Sequence, residues 1–198
     1  SIQSDSPTVS KQSIRICLII ASSKQWSVET TDIKRAFLQS RPLDRDVFIQ
    51  PPSIAECPPG KLWKLNCSLY GLTDAAREFY LSIKEELFKL GCKMSTLDNS
   101  LFYKLENGEL VGLLATHIDD FLHCGNDLFS ESVIKPLCLR FQAGSPDIHN
   151  FIYTGIQIKQ DHEGLSINQD HYIAETEEIE CIRTNTELNS SEKSDLRS

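Results

Sequence analysis

The chain has 198 residues, 40% of them hydrophobic, which suits one domain with a proper core, or one domain and a tail. Its formal net charge is −8, so it lacks the overall basic footprint of proteins that live on nucleic-acid phosphates, and any such binding needs a local basic strip or another part of the protein. The cysteines are odd in number, seven, with no C-x-x-C pair, so they suggest neither a disulfide framework nor a zinc site but a reducing compartment.

The N-terminus, Ser-Ile-Gln-Ser-Asp-Ser-Pro, is no signal peptide and carries no initiator Met, as expected of a fragment or processed piece. No apolar run is long enough to span a bilayer. Ser10, or alternatively Ser13, can cap a helix whose Ile14–Ala21 run is almost continuously apolar, which predicts a buried helix ending at Lys24-Gln25-Trp26. The β-branched stretch from Ser27 to Ile33 reads as a strand with Asp32 at its C-terminal end. Ala36-Phe37-Leu38 follows as a short turn or helix. Strands over 46–50 and 61–65, bracketing a linker with Pro51-Pro52 and Pro58-Pro59, can form a hairpin.

Thr73 or Asp74 can cap the next helix, where Phe79, Ile83, Leu87 and Leu90 recur at helical spacing and Gly91 closes the C-terminus. Asn107-Gly108 between two apolar runs is a strong hairpin signal. A helix is expected from Leu128 to Arg140, kinked or shortened by Pro136. Phe151 to Lys159 alternates as one strand. Asp161-His162-Glu163-Gly164 turns it into a hairpin with Leu165-Ser166-Ile167. From Glu175 onward the chain is polar, and a frayed or disordered tail is expected from about Cys181. The order of elements predicts an α+β fold: an antiparallel sheet with helices packed on one face.

Asp119 and Asp120 sit between two apolar runs, where a hairpin would turn. Adjacent acids occur in plain turns, but a pair at the tip of a buried hairpin, joined by a third carboxylate, can hold divalent cations for chemistry on phosphates. Asp32 is the candidate third carboxylate, with strand-end capping as its structural alternative.

Several runs together resemble the reverse transcriptase of Ty1/copia-type retrotransposons. Thr31-Asp32-Ile33-Lys34-Arg35-Ala36-Phe37-Leu38 resembles the first catalytic motif, Val47-Phe48-Ile49-Gln50-Pro51-Pro52 a hairpin entry, and Ser68-Leu69-Tyr70-Gly71-Leu72 with Ala75, Arg77 and Tyr80 the family's most recognisable signature. Asp98 to Phe102 resembles the strand before the catalytic hairpin, His117-Ile118-Asp119-Asp120 the Asp-Asp box, and 153–158 with 164–173 the hairpin after the palm. The lead-in, Asp5 to Ser10 with Ser13-Ile14-Arg15, fits too.

The resemblance implies a polymerase palm-like sheet with partial fingers and a thumb-proximal hairpin, over 5–173, with 174–198 as the polar tail. It implies Asp32, Asp119 and Asp120 as catalytic, Mg²⁺- or Mn²⁺-binding carboxylates, with the Ile33 carbonyl as a further ligand candidate. Phe37 would lie under the incoming sugar, or be ordinary core. Tyr70 and Gly71 would line the nucleotide pocket. Arg77 would reach template or phosphate, or be a solvated helix face. His117 stands where the family usually has Tyr, and would tune primer positioning. Gly155 would lie in a primer-gripping hairpin, or in a structural turn. Ala76 stands where proline is common. The implied partners are an RNA or DNA template-primer, a deoxynucleotide and other parts of the Pol polyprotein, in cytoplasmic particles or the nucleus. A basic fingers hairpin that precedes the first motif in the family has no counterpart here. A catalytically inactive remnant is the alternative; a nucleotide cyclase is disfavoured, having no use for the Ser68–Leu72 run.

Overall fold

The computed structural model describes residues 4–176, so the expected disorder of the tail lies outside the described residues. Helix α1 (Lys11–Lys24) starts where Ser10 accepts a hydrogen bond from the Ser13 N–H and ends at Gln25 in the left-handed conformation. It buries one stripe, Ile14, Cys17, Leu18 and Ala21, and leaves Ile16 and Ile19 exposed. The continuous apolar run therefore makes a helix with one covered face, not a wholly buried one.

Strand β1 (Val28–Asp32) leads into a 3₁₀ turn at Ala36–Gln39. β2 (Phe48–Ile49) and β3 (Trp63–Lys64) pair as the expected hairpin, although each strand is shorter than its apolar pattern suggested. α2 (Ala75–Lys89) begins at Asp74, whose side chain makes no capping bond. It accepts both contacts of Arg45 Nη2 instead, at 2.8 and 2.7 Å, tying the segment before β2 to the helix. Gly91, at φ 82°, closes the helix in a Schellman motif: its N–H reaches Phe88 O and that of Cys92 reaches Leu87 O.

β4 (Lys93–Met94), β5 (Leu101–Glu106), β6 (Glu109–His117) and β7 (Asp120–Gly125) follow. Asn107 and Gly108 both take positive φ, as a two-residue hairpin turn requires. Next come α3 (Asp127–Phe129), a π-turn (Ser130–Ile134) and α4 (Lys135–Arg140). They form one helical run, which Pro136 does not shorten. A proline lacks the N–H that a regular helix would use, and the run widens there: Lys135 N–H reaches back to Ser130 O.

β8 (Asp147–Ile148) precedes β9 (Asn150–Tyr153), β10 (Ile156–Asp161), β11 (Gly164–Asn168) and α5 (Asp170–Glu175). The single strand expected over 151–159 is thus two strands, β9 and β10. Thr154 and Gly155 turn between them with φ 50° and 75°. Alternation alone runs through such a turn unbroken when the residues on either side share a face.

The main sheet has the order β4-β5-β6-β7-β1-β8, antiparallel throughout. Successive residues point to opposite faces, and both faces are covered. Leu114 and Phe121 pack under α2 and the α3–α4 run with Phe79, Ile83, Leu137 and Phe141. Leu113 and Leu122 pack under α1 and the second sheet, β11-β10-β9, with Ile14, Leu18, Tyr153 and Ile158. The expectation of helices on one face is corrected accordingly: α1 lies opposite α2.

Candidate active site

β1 and β7 are adjacent, and their register places Asp32 directly opposite Asp120. Directly opposed residues in an antiparallel pair share a face, with Cβ atoms about 4.5–5.5 Å apart. Asp119 is the second residue of a two-residue loop closed by the His117–Asp120 pair. The main chain holds this loop against β1, since Ile33 N–H donates to Asp119 O at 2.9 Å. The first loop residue, Ile118, has φ 56°. A β-branched side chain there is strained, at roughly 1–3 kcal/mol, and strain of this kind collects at functional loops.

Asp120 feels the other two acids. Burial raises the Asp120 carboxyl above its ordinary range, the charges of Asp119 and Asp32 raise it further, and His117 pulls it back. An all-carboxylate set is the donor chemistry that hard divalent cations take. As the side chains are placed, however, no group of three or more His, Cys, Asp or Glu among the described residues forms a cage for a metal ion. The backbone brings the acids together; their side chains are not gathered on a common point. Ile33 has its side chain buried, which leaves only its main chain for a ligand role.

Beyond the acids stands an aromatic pair. Leu69 O accepts from Leu72 N–H at 3.1 Å, and Gly71 sits third in this turn with φ 98°. That is the position where a type II turn demands glycine. Nothing lies within 4 Å of the place a Cβ would occupy, so conformation, not crowding, selects the residue. The turn presents Tyr70, 54% exposed, to Phe37, with ring centroids 4.4 Å apart. Phe37 also meets Phe79 edge-on at 6.4 Å. Phe37 is thus half-buried, in contact with the core on one side and with an exposed tyrosine on the other.

His117 packs edge-on against Tyr153, centroids 6.5 Å apart, and its Nδ1 is buried without a partner. The Tyr153 hydroxyl donates to Ala115 O at 3.2 Å, which sews β9 onto β6 beside the Asp-Asp turn. Gly155 lies two residues beyond, exposed at the tip of the next turn. Arg77 is on α2, where its guanidinium donates to Asp5 O at 3.3 Å and so holds the N-terminal segment.

Two partnerships were not readable in advance. Tyr153 had no marked role, and only its contact with His117 reveals one. Asp98 accepts from Ser13 Oγ, Ser10 N–H and Ser100 N–H, at 2.6, 2.9 and 2.9 Å, and so fastens the start of α1 to the loop before β5. A hydroxyl-rich cap 85 residues away in sequence from its acid gives no local signal.

Over residues 2–189 the chain matches the family described as Reverse transcriptase (RNA-dependent DNA polymerase). It is 33% identical over 171 residues to the Retrovirus-related Pol polyprotein from transposon RE1 of Arabidopsis thaliana, covering 85% of this chain and 12% of that protein. The corresponding polyprotein from transposon RE2 of the same plant is 32% identical over 170 residues, 84% of this chain and 12% of the relative. That from transposon TNT 1-94 of Nicotiana tabacum is 32% identical over 124 residues, 62% of this chain and 9% of the relative. The chain therefore spans only a small part of the curated relatives it matches. No solved structure matches it.

Proposed function

The chain belongs to the reverse transcriptase (RNA-dependent DNA polymerase) family, in its copia type, and from that premise we propose that it is the palm-centred part of an RNA-directed DNA polymerase. The observation that carries this reading is the register of Asp32 opposite Asp120, with Asp119 in the adjoining turn. The reaction is template-directed addition of a deoxynucleotide to a primer 3′-end: the 3′-oxygen bonds to the α-phosphorus and pyrophosphate leaves.

Asp32, Asp119 and Asp120 would hold Mg²⁺ or Mn²⁺, with the Ile33 carbonyl as a further ligand. Bound there, a pair of such ions supplies a more acidic 3′-hydroxyl and a stabilised pyrophosphate. Phe37 supports the sugar, where its ring collides with a 2′-hydroxyl. Tyr70 and Gly71 line the nucleotide pocket. His117 and the turn at Gly155 position the primer end, with Tyr153 between them as the packing link. Arg77 contacts template or phosphate once a duplex is bound. Template-primer, deoxynucleotide and the rest of a Pol polyprotein are the partners. Residues 5–173 form the domain. It works in cytoplasmic particles or the nucleus; among the described residues no helix is long and apolar enough to cross a membrane.

A second reading is a catalytically inactive nucleic-acid-binding or structural remnant that keeps the fold. Titration with Mn²⁺, followed by calorimetry and by extension of a primed RNA template, separates the two. The polymerase reading expects weak cation binding and weak extension. Both should vanish in Asp119→Asn. Absence of cation binding in the unsubstituted chain selects the remnant.

A further inference from the structure

On the face of the molecule that carries α1, away from α2, a groove of about 530 Å³ opens between the helix and the second sheet. Leu18 and Ile19 form one wall and Leu165 and Ile167 the other. A second hollow of about 270 Å³ continues from it past Arg15 and Ile167 to Lys11 and Asn168. Hydrogen bonds fasten the second sheet to the main body through β9 and β10. Tyr153 of β9 bonds to Ala115 O, while Gln160 of β10 accepts from Val28 N–H and donates to Trp26 O. Among the described residues β11 makes its ladder with β10 alone and is the edge of that sheet.

Three features coincide there. The walls are apolar, and Ile19 (68% exposed) and Ile167 (42% exposed) remain in solvent. The edge strand leaves main-chain donors and acceptors facing away from β10, a template for another strand. One end of the groove is cationic, since among the described residues neither Lys11 nor Arg15 takes part in an ion pair. In a chain of net charge −8 that end stands out.

We propose that this groove is a docking site for an extended polypeptide segment, supplied by a partner protein, whose groove-facing alternate side chains are apolar at one end and acidic at the other. The segment adds to the β11 edge, and its groove-facing side chains, all on one face of the strand, set apolar residues against Leu18 and Ile19 and carboxylates against Lys11 and Arg15. Strand addition supplies affinity through main-chain bonds, and the alternate side chains supply specificity. The opposed charges select an acidic segment over a basic one.

The probes are two synthetic, fluorescently labelled heptapeptides, Ile-Ser-Ile-Ser-Glu-Ser-Glu and Ile-Ser-Ile-Ser-Lys-Ser-Lys, titrated into the full chain and read by fluorescence anisotropy. The acidic peptide should bind, and the basic one at least tenfold more weakly. Arg15→Glu should reverse that preference, while Ile167→Asp should weaken the acidic peptide at least tenfold. Ile19→Ser, on the helix wall, gives the same loss should Ile167→Asp lower the melting temperature. Lys135→Glu, on α4, should change nothing. Equal binding of the two peptides, or no loss in the groove variants, overturns the proposal. So does self-association of the chain that these variants abolish, because a second copy would then be the occupant.

Discussion

Asp32 and Asp120 face each other across β1 and β7 in one register pair, and the second is raised above the ordinary carboxylate range by burial and then by Asp119 and Asp32. The folded chain thus carries like charges that it would not choose for stability. A carboxyl raised on folding contributes stability that is present below its unfolded pKa and lost as pH rises through its folded value. At neutral pH, ionised Asp120 therefore costs the fold free energy. Asp120→Asn should melt higher than the unsubstituted chain, by about 2–4 °C after allowing for solvent screening of a half-exposed group. Mn²⁺ should raise the melting temperature of the unsubstituted chain and leave that of the variant unmoved. A variant that melts lower would show that the acids do not oppose one another.

Gly112 and Gly125 are register partners on β6 and β7, and Phe129 lies on them. A Cβ on Gly112 would come within 2.1 Å of that ring, and one on Gly125 within 2.6 Å. Neither glycine has a positive φ, so close approach is what requires it. Gly112→Ala should destabilise the chain by about 3 kcal/mol, the upper range for overpacking a core, as read by urea unfolding. Combined with Phe129→Ala, the loss should fall short of the sum of the two single losses, because the two residues share one contact and their effects do not add.

His123 is buried on β7, where its Nε2 meets Thr31 Oγ1 of β1 at 3.1 Å, and burial pushes its pKa down to about 4. Its stabilising contribution is present above the unfolded value near 6.5 and is lost as pH falls through about 4. Each pKa unit is worth about 1.4 kcal/mol, so acidification across that window should cost about 3 kcal/mol. Asp98 adds a separate loss at lower pH. Burial would raise that carboxyl, but hydrogen bonds from Ser13, Ser10 and Ser100 outweigh it and hold it below the ordinary value. Urea unfolding from pH 7 to 4 should show the first slope, and His123→Gln should flatten it. Equal slopes in both proteins would place the acid sensitivity elsewhere.

The hairpin at Asn107-Gly108 and the cap at Ser10 were legible because their signals are local, whereas the turn at Thr154-Gly155 and the lack of a capping bond from Asp74 were not. Asn107-Gly108 demands positive φ at two neighbours, and Ser10 reaches its partner three residues on. The acids were legible as residues and not as a site, since only the register sets Asp32 against Asp120. The covering of both sheet faces was present in the text of β6, where Val111 to Ala115 is apolar or glycine without alternation. Such a run marks a strand buried on two sides. The pairing of Phe37 with Tyr70 could not be read at all, because 33 residues and a hairpin separate them.

That aromatic pair yields the most direct test of the nucleotide pocket. Phe37 is held between Tyr70 at 4.4 Å and Phe79 at 6.4 Å, so Tyr70 fixes the height of a ring that Phe79 supports from the core. Under the polymerase reading, Phe37→Val removes the surface that a 2′-hydroxyl would strike. It should raise the preference for ribonucleotides over deoxynucleotides about tenfold to a hundredfold, the range available to a steric pocket. Tyr70→Ala leaves Phe37 in place and frees its ring, so its effect should go the same way and be smaller. Single-nucleotide addition to a primed RNA template with Mn²⁺ measures both ratios, with Asp119→Asn as the blank. If Phe37→Val changes stability but not the sugar ratio, Phe37 is core packing and Tyr70 merely covers it.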